Sequence, residues 1–170
     1  MSYRFLAAAA AVACLGLTAS TAHAQTAHGQ TANTQTARFV GQWHWNRTDS
    51  TSLVSNEPAP QDVVLSIAAA EPGRVQWTLT ALDAKGDAHL QSYSGRGDGS
   101  AAQIAGASDG AMAAFTVTAA AFRGVYSNRD GSSERTACAV TGDGRRMTCD
   151  GTEIDAKGRT RNYVDVYDRR

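Results

Sequence analysis

Glu134–Glu153 reads ERTACAVTGDGRRMTCDGTE, and this stretch commits the chain to a geometry. Two strand-favouring runs flank Thr141-Gly142-Asp143-Gly144-Arg145, a turn cluster suited to closing a β-hairpin with a short loop. If Thr141 pairs with Arg146, Val140 faces Met147 and Cys138 lies opposite Cys149. Cross-strand partners sit close enough at Cβ to form a disulfide without moving the backbone. Side chains alternate along a strand, so Cys138, Val140, Met147 and Cys149 share one face, and Ala137, Ala139, Thr148 and Asp150 take the other. The apolar, sulfur-bearing face is the inner one. A single hairpin thus acquires a register, an inside and a disulfide.

The beginning of the chain bears on whether that disulfide is permitted. MSYRFLAAAAAVACLGLTASTAHA reads as a secretory signal peptide over residues 1–24: Arg4 in a short n-region, an apolar run from Phe5 to Leu17, and a small-x-small site at Ala22-His23-Ala24. The run is shorter than the roughly 20 residues a membrane span needs. Cleavage after Ala24 therefore predicts a periplasmic or secreted protein with no stable membrane insertion. Cys14 falls within the apolar run and is read as part of it. Cys138 and Cys149 are the two cysteines left, an even count in a disulfide-permissive compartment.

Charge narrows the partners. The full chain balances 16 Lys and Arg against 16 Asp and Glu, and loss of residues 1–24 removes only Arg4. A near-neutral domain without basic clusters lacks the electrostatic footprint of a nucleic-acid binder.

Residues 25–37, QTAHGQTANTQTA, are polar and of low complexity, and read as a flexible tether. The domain proper is assigned to residues 38–170. It opens with Arg38–Trp45, a strand whose Phe39, Gly41, Trp43 and Trp45 share one parity. Residues 46–60 are turn-rich. Val63, Leu65, Ile67 and Ala69 then alternate, as do Val75, Trp77, Leu79 and Ala81, with Glu71-Pro72-Gly73 turning between them. Asp83–Asp87 is a further turn, and Ala88–Gly95 a further strand. Residues 95–110, rich in glycine and serine, read as loop apart from a short strand at Gln103-Ile104-Ala105. Strand signals resume at Met112–Thr118 and Phe122–Ser127, pass into the disulfide hairpin, and end at Asn162–Asp168. Ala119-Ala120-Ala121 is the one place a helix could form.

Turn signals about every 8–12 residues without a helical stripe predict an all-β fold. Successive hairpins with no long crossover favour an antiparallel up-and-down meander. Closing it into a barrel of about eight to ten strands removes both sheet edges, with little or no helix outside the signal peptide.

These residues resemble the exported bacterial lipocalin-like proteins of the calycin group. Val40-Gly41-Gln42-Trp43 followed by Asn46-Arg47 is similar to the Gly-x-Trp signature that opens lipocalin barrels. Pro58-Ala59-Pro60 before the second strand fits the same group. So do Thr141–Thr148, Gly151-Thr152, Asp155–Arg159 and the closing Val164-Asp165-Val166-Tyr167-Asp168. The likeness spans most of residues 38–170 and is weakest in the middle third. It implies a barrel able to hold a small apolar ligand, and an arginine near the last strand packing over Trp43, for which Arg161 and Arg169 are the candidates. The chain departs from lipocalins proper in lacking a Thr-Asp-Tyr motif, and no C-terminal helix fits after Asp168.

No catalytic constellation stands out. There is no Gly-x-Ser-x-Gly, and His28, His44 and His89 are isolated from one another and from any ligand spacing. No metal, cofactor or catalytic residue is assigned, and the chain is read as a non-enzyme. Glu153/Asp155 and Asp165/Asp168 read as solvated strand ends beside arginines rather than as acid–base pairs. Gly95-Arg96-Gly97-Asp98-Gly99 lacks the end of a phosphate loop, and its Arg-Gly-Asp is ordinary turn chemistry. The candidate ligand contacts are Trp43, Trp45, Trp77, Phe115 and Tyr126, all expected inward. Ala69, Ala81 and Gly124 are expected to leave room beside them. A small apolar or amphipathic molecule inside the barrel is the leading expectation. The alternative is a protein-binding module, an inhibitor or envelope accessory, acting through loops 46–60 and 95–110.

Overall fold

A computed structural model describes residues 36–51, 59–107 and 110–170. The proposed signal peptide, most of the tether, Pro58 and His28 lie outside the described residues. Ten antiparallel strands form one sheet: β1 (Gly41–Trp45), β2 (Asp62–Glu71), β3 (Arg74–Leu82), β4 (Ala88–Gly95), β5 (Asp98–Gln103), β6 (Met112–Val117), β7 (Phe122–Ser127), β8 (Ser133–Val140), β9 (Arg146–Ile154) and β10 (Thr160–Arg169). Neighbours run β4-β3-β2-β1-β10-β9-β8-β7-β6-β5, so β1 meets β10 and each other pairing joins consecutive strands. The ends of that order approach each other. Ser92 of β4 and Ala105, just beyond β5, exchange two backbone hydrogen bonds of 2.9 Å. The result is an up-and-down meander curled into a nearly closed barrel.

The disulfide hairpin takes the expected register: Cys138 opposite Cys149, Val140 opposite Met147, and Thr141 N–H donating to Arg146 O at 2.8 Å. Cys138, Val140, Met147 and Cys149 are all buried, and the Cys138–Cys149 bridge is formed.

Four expectations need correcting. The domain starts before residue 38: Thr36 is buried, Ala37–Phe39 make a single 3-10 turn, and the first strand begins only at Gly41. Residues 95–110 are not mainly loop. Arg96-Gly97 is a tight turn, held by an Arg96–Asp98 ion pair of 2.6 Å, and β5 follows it directly. The turn depends on Gly97, where a Cβ would lie 2.3 Å from Glu71 O. A register shift between Asp98 and Ala101 hid β5 from any alternation test.

A second bulge, between Ile67 and Ala69, explains the third correction. The extra residue flips the parity of β2, so Ala70, opposite the fully buried Val75, joins the core cluster, while Ala69 is buried outside that cluster, opposite Gln76. Finally, Gly124 leaves no room. Its missing side chain is filled by the rings of Phe115 and Tyr126, which a Cβ there would approach to 2.9 and 3.0 Å.

The strands define two ends. The turns β2–β3, β4–β5, β6–β7 and β8–β9 gather at one, with the 3-10 turn across it. The connections β1–β2, β3–β4, β5–β6, β7–β8 and β9–β10 gather at the other. Because β1 is short, the upper half of β10 would lack a partner on that side, and Asn46–Thr51 supplies one. Asn46 and Thr51 donate backbone N–H groups to Val166 O and Val164 O, and the Ser50 and Thr51 hydroxyls accept from Val166 and Val164. Arg146 pins this segment from outside, reaching Asp49 at 2.9 Å and Asp168 at 2.8 Å.

Candidate functional site

The end crossed by the 3-10 turn is packed shut. Phe39, Trp43, Val75, Phe115 and Met147 are fully buried there. The indole N–H of Trp43 donates to Phe39 O at 2.8 Å. Arg169 lies over the Trp43 ring, 4.2 Å from its centroid. Its guanidinium also donates to three backbone carbonyls: Gly144 at 2.7 Å, Val40 at 2.8 Å, and Arg38. Of the two arginines the resemblance pointed to, Arg169 is the one that covers the tryptophan.

Toward the other end the described side chains do not fill the interior. A cavity of about 420 Å³ remains, within the roughly 300–1,000 Å³ of small-molecule sites. Strand alternation assigns its walls. Leu65 and Ile67 of β2 with Trp77 and Leu79 of β3 make an apolar side. Glu134 and Thr136 of β8 and Tyr163, Asp165 and Tyr167 of β10 make a polar side, with Tyr126 of β7 beside it. Phe122, Met147 and the Cys138–Cys149 bridge form the floor, and Ala107, Ala111 and Asn128 stand towards the open end.

The polar side is organised around Glu134. The Tyr163 hydroxyl donates to its Oε1. Gly151, opposite Tyr163 on β9, makes this possible, because a Cβ there would lie 1.9 Å from the tyrosine ring. Burial pushes the Glu134 carboxyl above the usual carboxylate range. The Tyr163 hydrogen bond opposes that shift, while the negative charges of Glu153 and Asp165 add to it. The hydroxyls of Tyr126, Tyr163 and Tyr167 are likewise held well above the ordinary phenol value, first by burial and then by neighbouring Glu134 or Asp165. Asp165 accepts the indole N–H of Trp45 at 3.0 Å.

The five candidate contacts thus separate. Trp77 and Tyr126 border the cavity. Phe115 is fully buried behind them, 6.2 and 5.7 Å from their rings. Trp43 belongs to the sealed end, and half-buried Trp45 reaches the site through Asp165. Ala69 and Ala81 do not line it. Asp165 is not the solvated strand end that was expected, since its position in β10 turns it inward between Tyr163 and Tyr167. Glu134, Tyr163, Asp165 and Tyr167 were missed as site residues. Extending the Cys138 parity back to Glu134, and the Tyr163 parity along the last strand, would have placed all four inside.

The remaining motifs stay apart from the cavity. His44 points outward on β1 opposite Asp168, and His89 pairs with Asp83 at 3.2 Å on an exposed turn. Among the described residues no group of three or more His, Cys, Asp or Glu could hold a metal ion, and no helix is long and apolar enough to cross a membrane. The site is therefore that of a β-barrel with a half-filled, two-sided interior. No family model matches the chain, and no curated protein matches it either.

Proposed function

We propose that this protein is an exported, non-enzymatic, lipocalin-like barrel that holds a small apolar or amphipathic molecule in its interior. The observation that carries the reading is the cavity of about 420 Å³, walled on one side by Leu65, Ile67, Trp77 and Leu79. Protein interiors are ordinarily close-packed, so an unfilled volume of this size with one apolar wall suits an occupant. The lipocalin likeness is supported by Arg169 over Trp43. Export is supported by the reading of residues 1–24 and by a cross-strand disulfide, which persists in oxidising compartments.

The test is titration of the protein with a neutral apolar fluorophore such as phenylnaphthylamine. Saturable binding is expected, weakened at least about threefold by Trp77→Ala on the scale of one lost apolar contact surface. A folded protein that binds no such probe would reject the reading. Native mass spectrometry of material from its own host adds a second arm. A co-purifying small mass supports the cavity. A co-purifying protein, with the cavity empty, would replace this reading by one acting through 46–60 or 95–110.

A further inference from the structure

We infer that the molecule held in the cavity is an organic cation, an amine or quaternary ammonium on an apolar body. This rests on the ligand-carrier reading and names the ligand class. The lining carries two carboxylates, Glu134 and Asp165, on the same side, and among the described lining residues there is no Lys, Arg or His. Trp77 and Leu79 line the same volume, so charge and apolar body would each find a complementary part of one cavity. The tyrosines on the acidic side extend the same preference, because aromatic faces attract cations and repel anions.

The two charged side chains of the described lining are both acidic, and Arg161, on the same face of β10 in the row of Glu153 and Glu134, stands outside that lining. Glu134 feels the negative charges of Glu153 on β9 and Asp165 on β10. Tyr126 on β7, with Tyr163 and Tyr167 on β10, feels those of Glu134, and Tyr167 also that of Asp165. Bringing an anion against this wall would compound the repulsion. A cation would relieve it and restore to Glu134 the stabilisation that burial removes. A neutral ligand gains only the apolar wall. Specificity by charge is thus built as much from rejection of carboxylate ligands as from attraction of ammonium ones.

Three probes of equal chain length separate these cases: octyltrimethylammonium, octanol and octanoate, titrated calorimetrically into the purified protein below their aggregation limits. The cation is expected to bind at least about tenfold more tightly than the carboxylate, the ratio of one charge-assisted contact. Its affinity should rise with pH as Glu134 ionises, whereas that of octanol should not. Glu134→Gln and Asp165→Asn should each lower cation affinity severalfold while sparing octanol, with near-ultraviolet dichroism confirming the fold. Equal binding of all three probes, or tighter binding of octanoate, would overturn the inference and leave the carrier reading standing. No binding of any probe by the folded wild type would overturn both. Because the wild-type preference is itself decisive, a variant that fails to fold does not blunt the test.

Discussion

The two ends of this barrel are built from the same ten strands under the same alternation, yet they solve opposite problems. At the sealed end the Trp43 indole and the Arg169 guanidinium meet partners within the fold, and among the described residues only the buried Tyr93 hydroxyl, beside Gly95, is left without one. The Trp43 indole N–H reaches Phe39 O, and Arg169 spreads its donors over the Gly144, Val40 and Arg38 carbonyls while its face covers the ring. At the open end the inward rows of β8 and β10 present Glu134, Tyr163, Asp165 and Tyr167 to a volume that no described side chain fills. Charge there is tolerated with partial compensation, and burial raises the carboxyl rather than a cation lowering it. A fold with one such end has its stability concentrated where the turns and the 3-10 segment close it. Its chemistry is left to the other end.

The largest effect should come from exchanging the tryptophans of the two ends for alanine. Trp43 is fully buried and hydrogen-bonded, so Trp43→Ala should cost about 3–5 kcal/mol in urea unfolding, the range for large aromatic deletions. Trp77 already borders empty space. Its deletion enlarges a cavity rather than creating one, and the loss should be smaller by about 1 kcal/mol or more. Equal losses, or a larger one at Trp77, would break the distinction between the ends.

Next in size is the disulfide that floors the cavity. Its cysteines are 11 residues apart in sequence. Replacing both by alanine should therefore remove at most about 3 kcal/mol, the loop-closure value for a short loop. Arg169→Lys comes third. A single ammonium cannot serve three carbonyls and stack on Trp43 as a planar guanidinium does, so a loss of about 1–2 kcal/mol is expected by the same unfolding measurement. A lysine variant as stable as wild type would mean that the plug owes its stability to apolar packing alone.

How much of this could be read beforehand follows the range of the interactions. The disulfide hairpin was legible to the residue, because a turn, an alternation and two cysteines lie within one stretch and constrain one another. The inwardness of Trp43, Trp77 and Phe115 followed from period-two patterning. That patterning failed where a bulge inserted a residue, bringing Ala70 into the core cluster beside the buried Ala69, and where a register shift masked β5. Parity alone would have turned the acidic side chains inward, but their pairings were illegible for a different reason. Glu134 meets Tyr163 across 29 positions and Trp45 meets Asp165 across 120, and nothing local to either partner announces the other. Arg169 over Trp43 was anticipated only by resemblance, which left Arg161 equally eligible.

The smallest predicted effect sharpens the comparison by pH. Glu134 is held above the ordinary carboxylate range when folded, so the folded chain keeps its proton more tightly than the unfolded chain does. Below the unfolded value of about 4.3 the group is protonated in both states and contributes nothing. As pH rises from there towards the folded value, ionisation favours unfolding, and above that value the penalty is constant. Glu134→Gln retains an oxygen to accept from Tyr163 and cannot ionise. Its stability relative to wild type should therefore climb across this window, at no more than about 1.4 kcal/mol per pH unit for a single group. Asp168, on the outer face beside the sealed end, has the opposite sign. Hydrogen bonds from Arg146 and then Asn46 hold its carboxyl below the usual range. Its contribution is present above the unfolded value of about 3.9 and is lost as pH falls through the folded one. Being solvent-exposed, it should amount to no more than about 1 kcal/mol. Urea midpoints of wild type, Glu134→Gln and Asp168→Asn from pH 3 to 8 (about the range over which carboxylates titrate) should thus diverge in opposite directions. Parallel curves for wild type and Glu134→Gln would show that the interior carboxylate is at no disadvantage in the fold. The open end's carboxylate would then be as well compensated as Trp43 and Arg169 are at the sealed one.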